Sequence, residues 1–282
     1  MTDIDATRDA MPVASGAAAP ARPSPEIWWT LGGIALFFVA WTLAHLVIGR
    51  YLPPPWQVIA AAAAHFFDSR YFVGLGLPPG GYWPHLVSTT YTALLGCAIG
   101  AGIGTLTGLG SAHSQVIHQI TRPIVAILGT VPILVAAPFF LIWFGVSENS
   151  KIILVAFYSA VVLHLFALRA VEHLHPSFAE SASTLGAGPW MIFRRVSLPG
   201  SVPELFGGLR AALGAAWGLA AITELLGTDR GIGRVIITTW GVQDIASMMG
   251  GLFLLALIAV IADALLMLAR RAATRWMPEG AL

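Results

Sequence analysis

The chain has 282 residues, of which 57% are hydrophobic and only 10% charged, far below the roughly 25% charged of soluble domains. Its 15 Lys plus Arg and 14 Asp plus Glu leave a net charge of +1, so no basic field exists to hold nucleic acid. The single cysteine, Cys97, excludes a disulfide framework or a cysteine-based metal site within one chain, and its apolar setting reads as packing.

Residues 1–26 are rich in Ala, Pro and Ser, carry Asp3, Asp5 and Asp9, and show no apolar period, so they read as a disordered tail. The first apolar run holds 23 uncharged residues between Glu26 and Arg50, too long for the 7–15-residue core of a cleaved signal peptide, and is expected to remain as an anchor. Stretches without Asp, Glu, Lys or Arg also lie between Arg70 and Arg122, Arg122 and Glu148, and Asp244 and Asp263. Since about 20 apolar helical residues cross the hydrocarbon core, six membrane helices are expected at 27–49, 86–109, 124–144, 152–169, 205–226 and 250–269. The fold class is all-α integral membrane, with a membrane domain over 27–270 and a short C-terminal tail over 271–282; barrel strands of about ten alternating residues do not fit.

After the first span, Leu52-Pro53-Pro54-Pro55 leads into an Ala-rich stretch, Trp56 to Phe67, expected as a short helix at the membrane surface, followed by a Gly- and Pro-rich connection from Gly74 to Pro84. Trp28, Trp29, Trp56, Trp83 and Trp143 fall near span ends, as an interfacial aromatic belt requires. Gly96, Gly100, Gly104 and Gly108 recur every fourth residue, one stripe of a helix that admits a neighbouring backbone. With the N-terminus inside, Arg8, Arg22, Arg122, Arg169, Arg194, Arg195, Arg210, Arg270, Arg271 and Arg275 lie on the inner side, against Arg50, Arg70, Lys151, Arg230 and Arg234 outside. The positive-inside rule then makes both termini cytoplasmic.

Several chemistries are absent. The only lysine, Lys151, stands in Asn149-Ser150-Lys151-Ile152, so no phosphate loop of the form G-x-x-x-x-G-K-[ST] exists and the chain is not itself an ATPase of that type. There is no G-x-S-x-G and no H-E-x-x-H; His173-Leu174-His175 reads as solvated or capping histidine, and no metal site is expected. Of the ionisable residues within spans, His45, His164, Arg210, Glu224 and Asp263, the last is expected to pair across helices or with Arg270. Pro132 and Pro138 interrupt the third span and could shape a cavity.

The loop between the fourth and fifth spans, residues 171–203, is long and polar in an apolar chain. Ser177-Phe178-Ala179-Glu180 has the form of a capping box, so a helix is expected from Ser177 through Ala182 to Leu185, ending at Gly186-Ala187-Gly188. Pro189 suits the start of a second short helix, and Leu198-Pro199 is expected to close the segment. Glu180-Ser181-Ala182-Ser183-Thr184-Leu185-Gly186 followed by Leu198-Pro199 resembles the EAA loop of importer permeases in the ATP-binding cassette superfamily, with Ser181 in place of the usual first Ala. Leu52-Pro53-x-Pro55, Leu141-Ile142-Trp143-Phe144-Gly145 with Ser150-Lys151-Ile152, Gly208-Leu209-Arg210 through Trp217 to Glu224, and Gly231-Ile232-Gly233 look like the nitrate, sulfonate, bicarbonate and taurine branch. Thr121-Arg122-Pro123 and an apparent insertion around Tyr71 to Gly81 depart from that pattern.

The resemblance implies a type I importer permease fold in a bacterial cytoplasmic membrane. It implies a homodimer carrying a small organic or inorganic anion, a cytoplasmic ATPase dimer that binds the ATP, and an extracytoplasmic substrate-binding protein. This chain would hold no cofactor of its own. The coupling residues it implies are Ser177, Glu180, Ala182, Leu185, Gly186, Leu198 and Pro199, with Glu180 as organising cap, Gly186 as elbow, Ala182 and Leu185 as contacts to the ATPase, and Pro199 as the stop that orients the fifth span. Gly96, Gly100, Gly104 and Gly108 would be packing residues, and no substrate-path residue is assigned. The alternative is an ion-coupled secondary transporter, which predicts buried charge networks and inverted repeats; a membrane-embedded enzyme and a non-transporting scaffold are the other rivals.

Overall fold

The computed structural model describes residues 25–276. Residues 1–24 of the assigned N-terminal tail and 277–282 of the C-terminal tail lie outside the described residues. Twelve helices follow one another among them: α1 (Pro25–Ile48), α2 (Pro55–Ala64), α3 (Arg70–Gly74), α4 (Trp83–His113), α5 (Gln115–Thr130), α6 (Ile133–Phe144), α7 (Glu148–Glu172), α8 (Pro176–Thr184), α9 (Pro189–Ile192), α10 (Leu198–Leu225), α11 (Ile232–Gly241) and α12 (Ile245–Ala273).

The long helices outrun the apolar segments because their caps lie beyond those segments. Ser147 and Ser150 form a reciprocal capping box at the start of α7, Ser114 caps α5, and Asp244 caps α12 by accepting from the Ser247 N–H at 3.0 Å. Five helical stretches are long and apolar enough to cross a membrane, or six if the bent α5–α6 pair is one span. That pair covers the span expected at 124–144, interrupted at Pro132 more sharply than a kink. α5 and α6 meet at 103°, because Pro132 lacks an N–H and forces extended backbone on Val131, whose ψ is 122°. α3 and α11 were not visible in the hydropathy pattern, being too short to register as spans.

The core is a three-helix stack of α4, α7 and α10, with Ala93, Cys97, Val155, Leu163, Ala212, Ala216 and Trp217 at its centre. The four glycines of α4 lie directly on α7. A side chain at Gly100 would strike the carbonyl of Ala156, and one at Gly104 would strike that of Ala160 and come within 2.8 Å of Leu163 Cβ. A second cluster at one end joins α2, α3, α11, α12 and the start of α4 through Phe72, Leu77, Tyr82, Leu86, Ile232 and Leu254. Tyr82 ties it together by donating to the Ser247 carbonyl at 2.5 Å. α1 stands apart and is held at its end by two bonds, Trp41 Nε1 to the Pro53 carbonyl at 3.0 Å and His45 Nδ1 to that of Leu52 at 2.8 Å.

Two outcomes are expected. Gly104→Val should overpack the α4–α7 contact and cost about 1–3 kcal/mol or more, read as a lower thermal midpoint in detergent. Asp244 gives a pH-dependent one. Burial alone would raise its carboxyl, but hydrogen bonds from Ser247 and Tyr71 outweigh burial and hold it below the ordinary carboxylate range. Its cap therefore contributes fully above that range and is lost as pH falls through the lowered value. Asp244→Ala should cost about 1 kcal/mol at neutral pH, with the difference from wild type shrinking in acid.

Candidate functional site

At one end of the bundle the chain leaves α7, turns through α8, and re-enters through α9. The base of this excursion is pinned at three places. His173 Nδ1 meets Glu204 Oε2 at 3.2 Å. Leu174 fills the space over Gly200, where a Cβ would sit 2.7 Å from its Cδ2. His113, at the end of α4, donates through Nδ1 to the Leu109 carbonyl at 2.9 Å and so accepts through Nε2 from Ser197 Oγ at 3.0 Å.

The start of α8 corrects the capping box expected at Ser177. The cap is His175, whose Nδ1 accepts from the Ser177 N–H at 3.3 Å and contacts Ser177 Oγ at 2.7 Å. Pro176 explains the shift: it suits the first helical position and starts the helix one residue early, leaving Ser177 inside it. The Glu180 side chain is exposed and bonds to nothing among the described residues. α8 ends at Thr184. Gly186 then takes φ +83°, and the N–H groups of Gly186 and Ala187 return to the carbonyls of Ser183 and Ala182 at 2.9 and 3.0 Å, a glycine C-cap. Ala182 is half-buried, while Leu185 is 88% and Trp190 71% exposed.

Pro199 is not a stop. α9, a π turn over Phe193–Ser197, and α10 form one unbroken helical stretch, Pro189–Leu225, of 37 residues, about 55 Å at 1.5 Å per residue. A proline inside an α-helix removes a donor and presses on the carbonyl four residues back; the wider π turn ahead of Pro199 makes room for it. Leu198 lies exposed at that junction.

The other end of this helix carries a polar cluster that sequence reasoning missed. Glu224 is completely buried. Its carboxylate accepts from Thr89 Oγ1 at 2.8 Å and from the Gly233 N–H at 3.0 Å, and lies 4.0 Å from Lys151 Nζ. Thr89 Oγ1 accepts in turn from the Ile232 N–H at 2.9 Å, and His85 Nδ1 from that of Gly231 at 3.0 Å. Gly231, at φ +119°, and Gly233 have to be glycine, since a Cβ at either would collide with Glu224 or the Ala221 carbonyl. Lys151, also fully buried, pairs with half-exposed Glu148 at 2.8 Å. α4, α7, α10 and α11 thus meet at one carboxylate. The available signal was a glutamate followed seven and nine residues later by glycines, together with the chain's only lysine.

Asp263 pairs with Arg210, not Arg270. Two contacts of 2.6 and 2.8 Å join α10 to α12 near the middle of α10, and the flat guanidinium fork takes both carboxylate oxygens. Where α5 bends into α6, an apolar recess of about 500 Å³ is lined by Leu128, Val131, Pro132, Phe139, Trp143 and Phe157. No group of three His, Cys, Asp or Glu able to hold a metal occurs among the described residues.

Long apolar helices of this number define a polytopic membrane protein, with an exposed capped segment at one end and a buried carboxylate cluster at the other. The chain belongs to the family described as binding-protein-dependent transport system inner membrane component, whose profile matches residues 100–277. It is 28% identical over 264 residues to the taurine transport system permease protein TauC of Escherichia coli K12, covering 91% of this chain and 92% of that one. It is also 28% identical over 250 residues to the putative aliphatic sulfonates transport permease protein SsuC of Bacillus subtilis 168, covering 89% and 83%. Among solved structures, a bacterial ABC transporter involved in import of the acidic polysaccharide alginate shares the fold, with a TM-score of 0.59 at 18% identity over 88% of this chain and 96% of that one. The protein is therefore a non-catalytic inner-membrane permease subunit of an ATP-driven importer, a family that works with a separate ATPase and a binding protein. An ion-coupled secondary transporter finds no support.

The buried cluster yields a further expectation. Glu224→Ala leaves the buried Gly233 N–H without its acceptor, while Lys151 keeps Glu148 and Thr89 keeps the His85 carbonyl. A loss of about 1–3 kcal/mol is expected, measured as thermal stability in detergent, with a smaller loss for Glu224→Gln.

Proposed function

We propose that two copies of this chain form the translocation path for a small organic anion of the sulfonate or taurine type, driven by a cytoplasmic ATPase dimer that binds the ATP. The observation that carries the reading is the α8–α9 segment: a capped, glycine-jointed excursion that holds Leu185 and Trp190 in the open on a pinned base. Large apolar side chains exposed together at a bundle end call for a protein partner. The EAA pattern of Glu180, Ala182, Gly186, Leu198 and Pro199 supports the ATPase as that partner, with Ser177 in the same exposed helix. Exposed Glu180 then acts as a contact rather than as a cap.

The excess of arginine on this side supports a cytoplasmic coupling segment and cytoplasmic termini. It supports an outward-facing Glu224 end, on the side of the binding protein. The names of the taurine and aliphatic sulfonate relatives support the substrate class. Charges within a membrane span face a water-filled interior or a partner rather than lipid. The Arg210–Asp263 pair, partly exposed beside the open Gly214 and Gly218, supports turning this face toward the path shared by two copies.

Gly186 tests the reading. At φ +83° any other side chain is strained, and a tryptophan there also obstructs the exposed elbow. Co-purification of the ATPase with Gly186→Trp should fall by about tenfold or more, the loss of about 1.4 kcal/mol or more of interface energy, with membrane insertion unchanged. Full co-purification and uptake by Gly186→Trp at normal expression would contradict the assignment.

A further inference from the structure

The Glu224 cluster is open on one side. A cavity of about 550 Å³ is lined by Ser147, Glu148 and Lys151 at the start of α7 and by Thr228, Asp229 and Arg230 after α10. Lys151 reaches it from complete burial, and its ammonium is shared unequally, 2.8 Å from Glu148 and 4.0 Å from Glu224. The two carboxylates differ in access: Glu224 is sealed, whereas Glu148 is half-exposed at the cavity.

An ammonium between two carboxylates at such distances has two partners within a small movement. A second cation brought to Glu148 would neutralise it and repel Lys151, which then has Glu224 as its remaining counter-ion. Glu224 stands in the last turn of the 37-residue helical stretch whose other end enters the α8–α9 segment. Asp229 gives the cavity rim a second exposed carboxylate and Arg230 an exposed cation. The surface that fits this rim presents a basic side chain with an acidic one beside it.

We propose that this cavity is the docking point of the extracytoplasmic binding protein, which engages Glu148 through a basic side chain. Lys151 is then a positioning residue that passes the engagement to Glu224 and so to the helix leading to the ATPase. This rests on the permease reading above.

The test uses the complete complex in nanodiscs, this chain with its ATPase and its binding protein, and follows ATP hydrolysis against binding-protein concentration. Glu148→Lys is expected to raise the half-saturating concentration by about tenfold or more while the maximal rate is retained, and Glu148→Asp to return it to near wild type. The double variant Lys151→Met with Glu224→Gln keeps the buried cluster neutral. It is expected to hold the half-saturating concentration and lower the maximal stimulated rate by about fivefold or more. Saturation of Glu148→Lys at the wild-type concentration overturns the proposal, as does one shared pattern in both variants, the mark of simple destabilisation. A wild-type chain that co-purifies with no ATPase contradicts the permease reading itself, and the proposal with it.

Discussion

A proline inside a helix removes one backbone donor and presses on the carbonyl four residues back, and in this chain one helical stretch is carried across two of them, Pro199 and Pro203. Pro199 would break an ordinary α-helix. The π turn Phe193–Ser197 widens the backbone just ahead of it, and the helical path runs without interruption from Pro189 to Leu225. Because it does, the excursion between Glu172 and Pro189 is joined to one continuous helical element. That element ends at Glu224, the carboxylate on which four helices converge.

The rest of the bundle divides by how firmly it is tied to this helix. α4 and α7 approach until glycine is the only residue that fits between them, and α10 packs into the same core through Ala212, Ala216 and Trp217. His113 bonds to Ser197 in the π turn, so α4 holds the helix where its geometry is least regular. By contrast, α5 has no buried residue, and α1 is joined through bonds at Leu52 and Pro53. Few buried contacts mean low local stability. Rearrangement within the chain is therefore cheaper in α1 and in the bent α5–α6 pair than in the α4–α7–α10 stack.

Much of this was legible in the sequence, because composition and uncharged runs report burial in lipid directly. All-α architecture follows from them, as does the absence of phosphate-loop chemistry. The breaks were less legible. Pro132 and Pro138 were visible as interruptions, yet a hydropathy window cannot tell a kink from a 103° bend. At His175, Pro176 and Ser177 two capping signals compete, and proline's preference for the first helical position decided for the histidine. Pro199 looked like a stop because the π turn that accommodates it has no composition of its own. The Glu224 cluster depends on contacts between residues 85, 89, 151, 224, 231 and 233, and spacing along the chain does not encode that convergence. Asp263 does pair across helices as expected, but which residue it meets, Arg210 and not Arg270, is likewise not encoded by spacing.

The central claim is that the helix from Pro189 to Leu225 moves as one body between the two ends. It is tested most directly by pulsed electron resonance on the assembled importer, with spin labels at Met191 and Ile222 of one copy, on either side of the π turn, in a Cys97→Ala background. The account predicts one unchanged distance distribution with and without ATP and binding protein, while labels at Leu185 of the two copies change their separation. A shift in the Met191–Ile222 distance on ATP binding would place a hinge at the π turn and contradict it.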